Sequence, residues 1–392
     1  MDIIKDSKFH PGLLTGRPYQ MCSKTVMDTT DPDITFDASG ICNHYHEYQD
    51  NARQNLLPEP ERSQKLEQLV ETIKKNGKGK KYDCLIGLSG GVDSTYVAWL
   101  VKQYGLRPLA VHLDNGWNSE LAVHNVNEIV KTLDIDLYTL VVNWEIFKNI
   151  QLAYLRASVV DIEVVSDHAI FATMYKLARE RNIPYIISGT NIETEFIMPR
   201  KWLYHKMDYA NLKDINKKYG NGNLKTYPTF NFRKYVYYSS FLKLVPISIL
   251  NYMDYNKAEA KTLITKELNW RDYGGKHYES TFTKFYQAYI LPEKFGIDKR
   301  KAHLSTLICS GQVSREQALE ELKHPLYDQK ELEEDTRYVI KKLGLTPQGF
   351  DDILKTAPRP HSDFKTDIAL KKKYMQLLRK TETIRRIIKP KK

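Results

Sequence analysis

The chain has 392 residues, 42% of them hydrophobic and 11% aromatic, material for about two or three ordinary domains with real cores. With 19 glycines and 4 cysteines it is neither collagen-like nor a disulfide scaffold, and its apolar content excludes wholesale disorder. The 59 Lys and Arg against 48 Asp and Glu give a net charge of +11, which taken whole points to nucleic acid or an acidic membrane surface.

Residues 1–60 read as turn-rich, with Asp31-Pro32, Ser39-Gly40 and a Pro58-Glu59-Pro60 linker. An amphipathic helix is predicted at 62–75 and breaks at Gly77 and Gly79. The pattern then alternates. Strands are predicted at 82–88, 108–113, 137–142 and 184–187, and helices at 93–104, 121–133, 145–158 and 167–181. Short strands separated by helical stretches imply an α/β fold with a parallel sheet and right-handed crossovers, whose ligands bind beyond the carboxyl ends of the strands. The Tyr-, Asn- and Lys-rich stretch 200–250 reads as an insertion. Its segment Arg200 to Lys234 holds nine bases against Asp208 and Asp214, a net of +7. Residues 251–370 read as helical, with a capping box at Ser314 to Gln317 and Pro347 at the first position of a later helix. The last segment, 371–392, carries ten bases against Glu382 and reads as a basic tail. The remainder is therefore a body of net −5 bearing two basic islands.

The opening MDIIKDSKFHPGLL has no apolar h-region, and no run approaches the ~18 apolar residues of a membrane span. Cys22, Cys42, Cys84 and Cys309 show no dense spacing. A cytoplasmic protein with reduced thiols, and not an integral membrane protein, is expected.

The strongest chemical signal is Ser89-Gly90-Gly91-Val92-Asp93-Ser94, between the first predicted strand and its helix. Two glycines let the backbone approach a ligand, and the N–H groups of the turn and first helical turn form an anion nest. Ser89 and Ser94 add hydroxyls, and Asp93 a carboxylate able to hold Mg²⁺ against phosphates. The turn is not a Walker A loop, and no GxGxxG fingerprint occurs.

SGGVDS resembles the PP-loop of the ATP pyrophosphatases, which cleave ATP between the α and β phosphates and adenylylate a substrate oxygen. The resemblance implies a sheet of the adenine nucleotide α-hydrolase type and an ATP-binding domain over 61–199. It also implies a nucleoside site beside His112, Leu113 and Asn115, bordered by Ser188, Gly189 and Thr190. Further runs resemble the N-acetyl sugar amidotransferases of WbpG type over roughly residues 20–325. They are Met21 to Pro32, Ile34 to Asp37, Gly40 to His44, Leu113 to Asn118, Ser188 to Glu195, Gly274 to Ser280 and Phe295 to His303.

This second resemblance implies a reaction in lipopolysaccharide O-antigen biosynthesis. ATP adenylylates the acetamido oxygen of a nucleotide-linked sugar, and ammonia then displaces AMP to give an acetamidino group. No glutaminase nucleophile is present in the chain. The ammonia would come from partners similar to the HisH glutaminase and the HisF cyclase. On this reading Lys276, Lys299 and Arg300 are cations for phosphates or a sugar carboxylate. His277, Glu279 and His303 steer protons. Glu193 and Glu195 bind Mg²⁺ or deprotonate ammonium, and Arg200 and Lys201 of the internal island hold the acidic sugar nucleotide. The basic tail, with Leu377, Leu378, Ile384, Ile387 and Ile388 between its charges, is read as a helix for partner docking or membrane-surface proximity. Nucleic acid is not the expected partner.

One departure concerns zinc. The family usually carries two Cys-x-x-Cys pairs near its start. Here Thr25 and Tyr45 stand where each pair would have its second cysteine, leaving Cys22 and Cys42, with His44 and His46 as substitute ligands in a degenerate knuckle. Two other readings stay open at this level: a PP-loop enzyme that modifies tRNA, with Cys309 or Cys84 as its thiol, and an ATP-binding regulator without catalysis.

Overall fold

The computed structural model describes residues 16–388 apart from 241, 243, 276 and 277, with the backbone alone at 239, 240 and 379–388. The helices and strands in chain order begin with α1 (Asn43–Asn55), α2 (Glu61–Gly77), β1 (Cys84–Gly87), α3 (Val92–Gln103), β2 (Pro108–Asp114), α4 (Glu120–Leu133) and β3 (Asp136–Val141). There follow α5 (Trp144–Ala157), α6 (Val164–Glu180), β4 (Tyr185–Ser188), α7 (Ile192–Glu195), α8 (Tyr209–Tyr219), α9 (Phe232–Ser240) and β5 (Val245–Ser248). The remainder is helical: α10 (Lys257–Leu268), α11 (Thr281–Phe285), α12 (Leu291–Phe295), α13 (Lys299–Cys309), α14 (Arg315–Glu321), α15 (Gln329–Leu343), α16 (Pro347–Lys355) and α17 (Ile368–Ile388). A π-helical turn, Tyr286–Ile290, joins α11 to α12 without a break.

The five strands pair in parallel in the order β3-β2-β1-β4-β5. Alternate residues of each strand serve opposite faces. Cys84 and Ile86 pack with Val97 and Val101 of α3 and with Ile264 of α10, whereas Leu85, Leu109 and Val111 pack against Met174 and Leu177 of α6. α2 adds Leu66, Val70 and Ile73 to the first layer. A separate core joins α5, the N-terminal segment and the C-terminal helices around Trp117, Phe147, Tyr154 and Phe285. The strand order reverses between β1 and β4, so the turns after these two strands face one crevice.

Predicted elements from 62 to 188 match the observed ones within a residue or two, except that α6 starts three residues earlier than predicted. α1, α7, α8, α9 and β5 were not predicted as elements. α1 lies in the segment read as turns, where few apolar residues mark a face: Tyr48 is its one buried side chain. β5 lies inside 200–250, where Pro246 breaks the apolar run. The proline is tolerated because β5 is the sheet edge, with β4 its one neighbour among the described residues. The stretch read as an insertion thus completes the sheet. The basic tail is helical within α17 as far as residue 388, as read, but its first base is interior. Lys371 is buried, pairs with Asp367 at 2.8 Å and donates to the Met207 carbonyl at 2.5 Å. Among the described residues, no helix is long and apolar enough to cross a membrane.

Candidate active site

The Ser89–Ser94 turn leaves β1 and opens α3, whose cap residue is Gly91. The turn is stitched to itself. Ser94 Oγ donates to the Gly91 carbonyl at 3.1 Å and accepts from Ser89 N at 3.3 Å, and Gly91 N donates to Ser89 Oγ at 3.2 Å. Gly90 has φ +88°, and the Tyr273 hydroxyl is so close that an added Cβ would meet its oxygen at 2.7 Å. Its carbonyl accepts from Trp270 Nε1 at 2.7 Å and from Tyr273 Oη at 2.6 Å. Aromatic donors some 180 residues away in sequence therefore fix the peptide plane on which the anion nest depends.

Across the crevice, the Ser188-Gly189-Thr190 turn leans on the start of α3. A Cβ on Gly189 would stand 3.0 Å from the Asp93 backbone. Ser188 and Thr190 share a hydroxyl bond of 2.8 Å, and Thr190 reaches Ser248 of β5 at 2.9 Å. His112 is buried. Its Nδ1 lies 2.8 Å from the Leu88 carbonyl and its Nε2 3.0 Å from the Asn118 amide, which fits Nδ1–H as the donor and Nε2 as the acceptor.

Two cavities meet at this crevice. The first, of about 370 Å³, is lined by Ser89, Gly91, Val92, Asp93, Ser94 and Gly189, together with Lys257 and Lys261 of α10. The second, of about 560 Å³, runs past His112, Leu113 and Asn115 to Asp167, Lys206, Lys299 and His303. Ser89, Ser94, Glu195 and Glu279 line both. Glu279 is brought there by a short antiparallel bridge from Asn118 to Ser280, with Ser119 N donating to the Glu279 carbonyl at 2.9 Å. Lys299 is buried and pairs with Glu163 at 2.8 Å. One helical turn on, His303 lines the same wall.

Other candidate residues are placed elsewhere. Glu193 and Glu195 project from opposite sides of the short α7. Glu195 lines both cavities, whereas Glu193 is buried, accepts from Tyr255 N at 3.1 Å and stands 3.8 Å from Arg62. Burial raises the Glu193 pKa. Arg300 is tied to Asp298 at 2.8 Å and to the carbonyls of Glu321 and His324, and lines neither cavity. Arg200 and Lys201 are exposed and line neither cavity. The base of that island which does reach the second cavity is Lys206, held by Asp161 at 2.8 Å and Asp167 at 3.0 Å. Lys276 and His277 lie outside the described residues.

Sequence reasoning missed Tyr255, Lys257, Lys261, Trp270 and Tyr273, all C-terminal to the sheet. The i, i+4 spacing of the two lysines on a helix was the available signal.

A hard cation beside phosphates needs one or two carboxylates. Asp93 and Glu195, on the wall of the first cavity, fit that demand for Mg²⁺. Zinc does not fit the N-terminal segment. Cys22 and Cys42 do come together, with Cys42 N donating to Cys22 Sγ at 3.2 Å, but Thr25 Oγ1 stands 3.8 Å from Cys42 Sγ and His44 Nε2 is turned to Asp31 at 2.7 Å. Among the described residues, no three metal-ligating side chains converge. Cys84 is buried in β1, which raises its thiol pKa, and burial pushes the Cys309 thiol up to about 12.

The parallel sheet, its reversal point and the glycine turn at that point define an α/β protein with a helical C-terminal region, and that turn is the Ser89–Ser94 sequence that resembles a PP-loop. Residues 279–379 match the family described as LPS biosynthesis protein WbpG-like, C-terminal domain, in agreement with the resemblance read from the sequence. No curated protein matches the chain. Among solved structures it is similar to an NMN synthetase from Francisella tularensis, at 21% identity over 48% of this chain and 72% of the other, with a TM-score of 0.27. It is also similar to an NH3-dependent NAD synthetase from Campylobacter jejuni, at 15% identity over 52% and 94%, with a TM-score of 0.28.

Proposed function

We propose that the chain is an ATP-dependent, AMP-forming amidotransferase synthetase subunit that acts on a nucleotide-linked N-acetyl sugar in surface polysaccharide synthesis. One observation carries the reading: the phosphate turn forms the common wall of two cavities, through Ser89 and Ser94. A nucleotide whose phosphates sit on that turn presents its α-phosphate to whatever fills the second cavity. The WbpG-like match supports the sugar class of that acceptor.

On this reading the amide oxygen of the acceptor attacks the α-phosphorus, an oxygen–phosphorus bond forms and pyrophosphate leaves. Lys257 and Lys261 face the leaving pyrophosphate from α10, and Asp93 and Glu195 would hold Mg²⁺, which would supply charge neutralisation there. The turn amides and the start of α3 offset charge on the transferred group. Lys206 and Lys299, each clamped by carboxylates, are the cations for an acidic acceptor. Ammonia then displaces AMP, because an O-adenylyl imidate has a good leaving group where an amide has none. The high thiol pKa values of Cys84 and Cys309, neither of which lines either cavity, weigh against sulfur transfer to tRNA.

The test is incubation with ATP, Mg²⁺ and excess ammonium chloride, plus either a UDP-linked diacetamido-uronate or tRNA, following AMP and pyrophosphate. Sugar-dependent release of both is expected. Release that depends on tRNA, or ATP binding without release in either mixture, overturns the reading.

A further inference from the structure

A third cavity, of about 580 Å³, is built largely by the segment that matches the WbpG-like family, from Gln287 to Leu326. It reaches the acceptor cavity at Gln287, Lys299 and His303, which line both. Its outer end is formed by the exposed Gln317, Glu321, His324 and Pro325, and its inner end by the buried Thr194, Ala288 and Lys299. Leu304, Leu307 and Val313 also line it, as do Lys257, Gly274 and Gly275, which it shares with the first cavity. The π turn between α11 and α12 presents Gln287 and Ala288 to its inner wall.

The proposed reaction has three reactants, and two already have cavities. The third must reach the acceptor carbon from a wall other than the one that carries the phosphate turn. The Gln287, Lys299 and His303 wall meets that requirement. An apolar stretch favours passage of neutral ammonia over ammonium, whose charge is costly to desolvate. We infer that this cavity is the inlet through which ammonia reaches the adenylylated acceptor, an inference that rests on the amidotransferase reading. As the nitrogen bonds to the amide carbon, the bond from that carbon to the AMP oxygen breaks. One of the three ammonia protons passes to His303, leaving a protonated amidine and AMP.

The experiment compares two measurements on the full chain. Acceptor-dependent exchange of pyrophosphate into ATP, run without ammonium, reads adenylylation alone. AMP formation against ammonium chloride concentration reads the second step. Leu304→Trp and Leu307→Trp fill the cavity, and His324→Trp narrows its exposed mouth, where the fold tolerates bulk. The expected result is a KM for ammonium at least tenfold higher, with exchange within twofold of the wild type. Exchange intact with the ammonium KM unchanged in all three variants overturns the inlet. So does a rise in the acceptor KM in its place, which would make the cavity part of the acceptor site. A wild-type protein silent in exchange with the acceptor overturns the amidotransferase reading itself.

Discussion

The Tyr255 hydroxyl donates to Oδ1 of Asp93, linking the segment before α10 to the first turn of α3. Burial and the neighbouring carboxylate raise the Tyr255 pKa, so it stays a donor throughout the working range. Asp93 is thus held in place by a residue 162 positions away. Asp93→Ala is expected to reduce acceptor-dependent pyrophosphate release to below about 1% of wild type with an unchanged circular dichroism spectrum. Tyr255→Phe should cost about tenfold in kcat, since the carboxylate remains but loses its orientation.

The two glycines at the crevice respond differently to a methyl group. Gly90→Ala adds a Cβ 2.7 Å from the Tyr273 hydroxyl on a backbone at φ +88°. We expect a loss of about 1–3 kcal/mol and weakened ATP binding, read by thermal melting and calorimetry. The combined variant Gly90→Ala, Tyr273→Phe removes the close hydroxyl but not the backbone strain, so it should recover only part of the stability. Gly189→Ala meets the Asp93 backbone at 3.0 Å, which cannot rotate away. It should displace the turns at the ends of β1 and β4 and lower activity more than stability.

The two acidic residues of α7 should separate cleanly. Glu195→Gln is expected to lower kcat by about ten- to a hundredfold with the melting temperature unchanged, because its side chain lines the cavities. Glu193→Gln should cost about 1–3 kcal/mol of stability, since it leaves Arg62 without its carboxylate and weakens the contact to Tyr255 N. Activity at a permissive temperature should be nearly normal. Equal effects of both substitutions on kcat would contradict this division.

Acid should unfold the protein through two buried histidines. Burial depresses the His168 pKa to about 4 and the His361 pKa to about 3, against an ordinary value of 6.5. His168 Nδ1 donates to the Lys206 carbonyl at 2.9 Å and its Nε2 accepts from Phe230 N at 3.0 Å, so a second proton breaks the latter bond. His361 stacks on Tyr204 at 3.8 Å. The unfolded chain takes up these protons first. Stability is therefore full above pH 6.5 and falls as pH drops from 6.5 towards 4, by on the order of 3 kcal/mol per histidine. Urea titrations between pH 7 and 4.5 should show this slope, and His168→Asn should flatten it.

Chelation should leave the fold intact. The N-terminal segment is anchored by protein contacts: Lys301 pairs with Asp28, Arg315 donates to the carbonyls of Cys22 and Thr25 at 3.1 Å, and Val26 N donates to Ser305 Oγ at 3.2 Å. Incubation with EDTA is expected to shift the melting temperature by less than about 1 °C, whereas Lys301→Met should lower it, because the buried Asp28 charge loses its partner. A large shift with EDTA would mean that a metal does hold this segment.

The order of strands and helices from 62 to 188 was legible in the sequence because it is local: hydrophobic period, caps and glycine turns act within a few residues. Ser89 to Ser94 could be recognised for the same reason, since all the groups that shape an anion nest lie in six consecutive residues. What surrounds the nest was decided only by tertiary structure. Trp270 and Tyr273 reach Gly90, Tyr255 reaches Asp93 and Glu279 meets Gly91 because the C-terminal helices fold back over the sheet, and no periodicity encodes that approach. The net charge of +11 changes meaning in the same way. Its islands are visible along the chain, but only packing turns Lys206 and Lys299 into the cavity and leaves Arg200 and Lys201 in solvent. A charge can be counted from composition, whereas its neighbours and its exposure follow from where the backbone puts it.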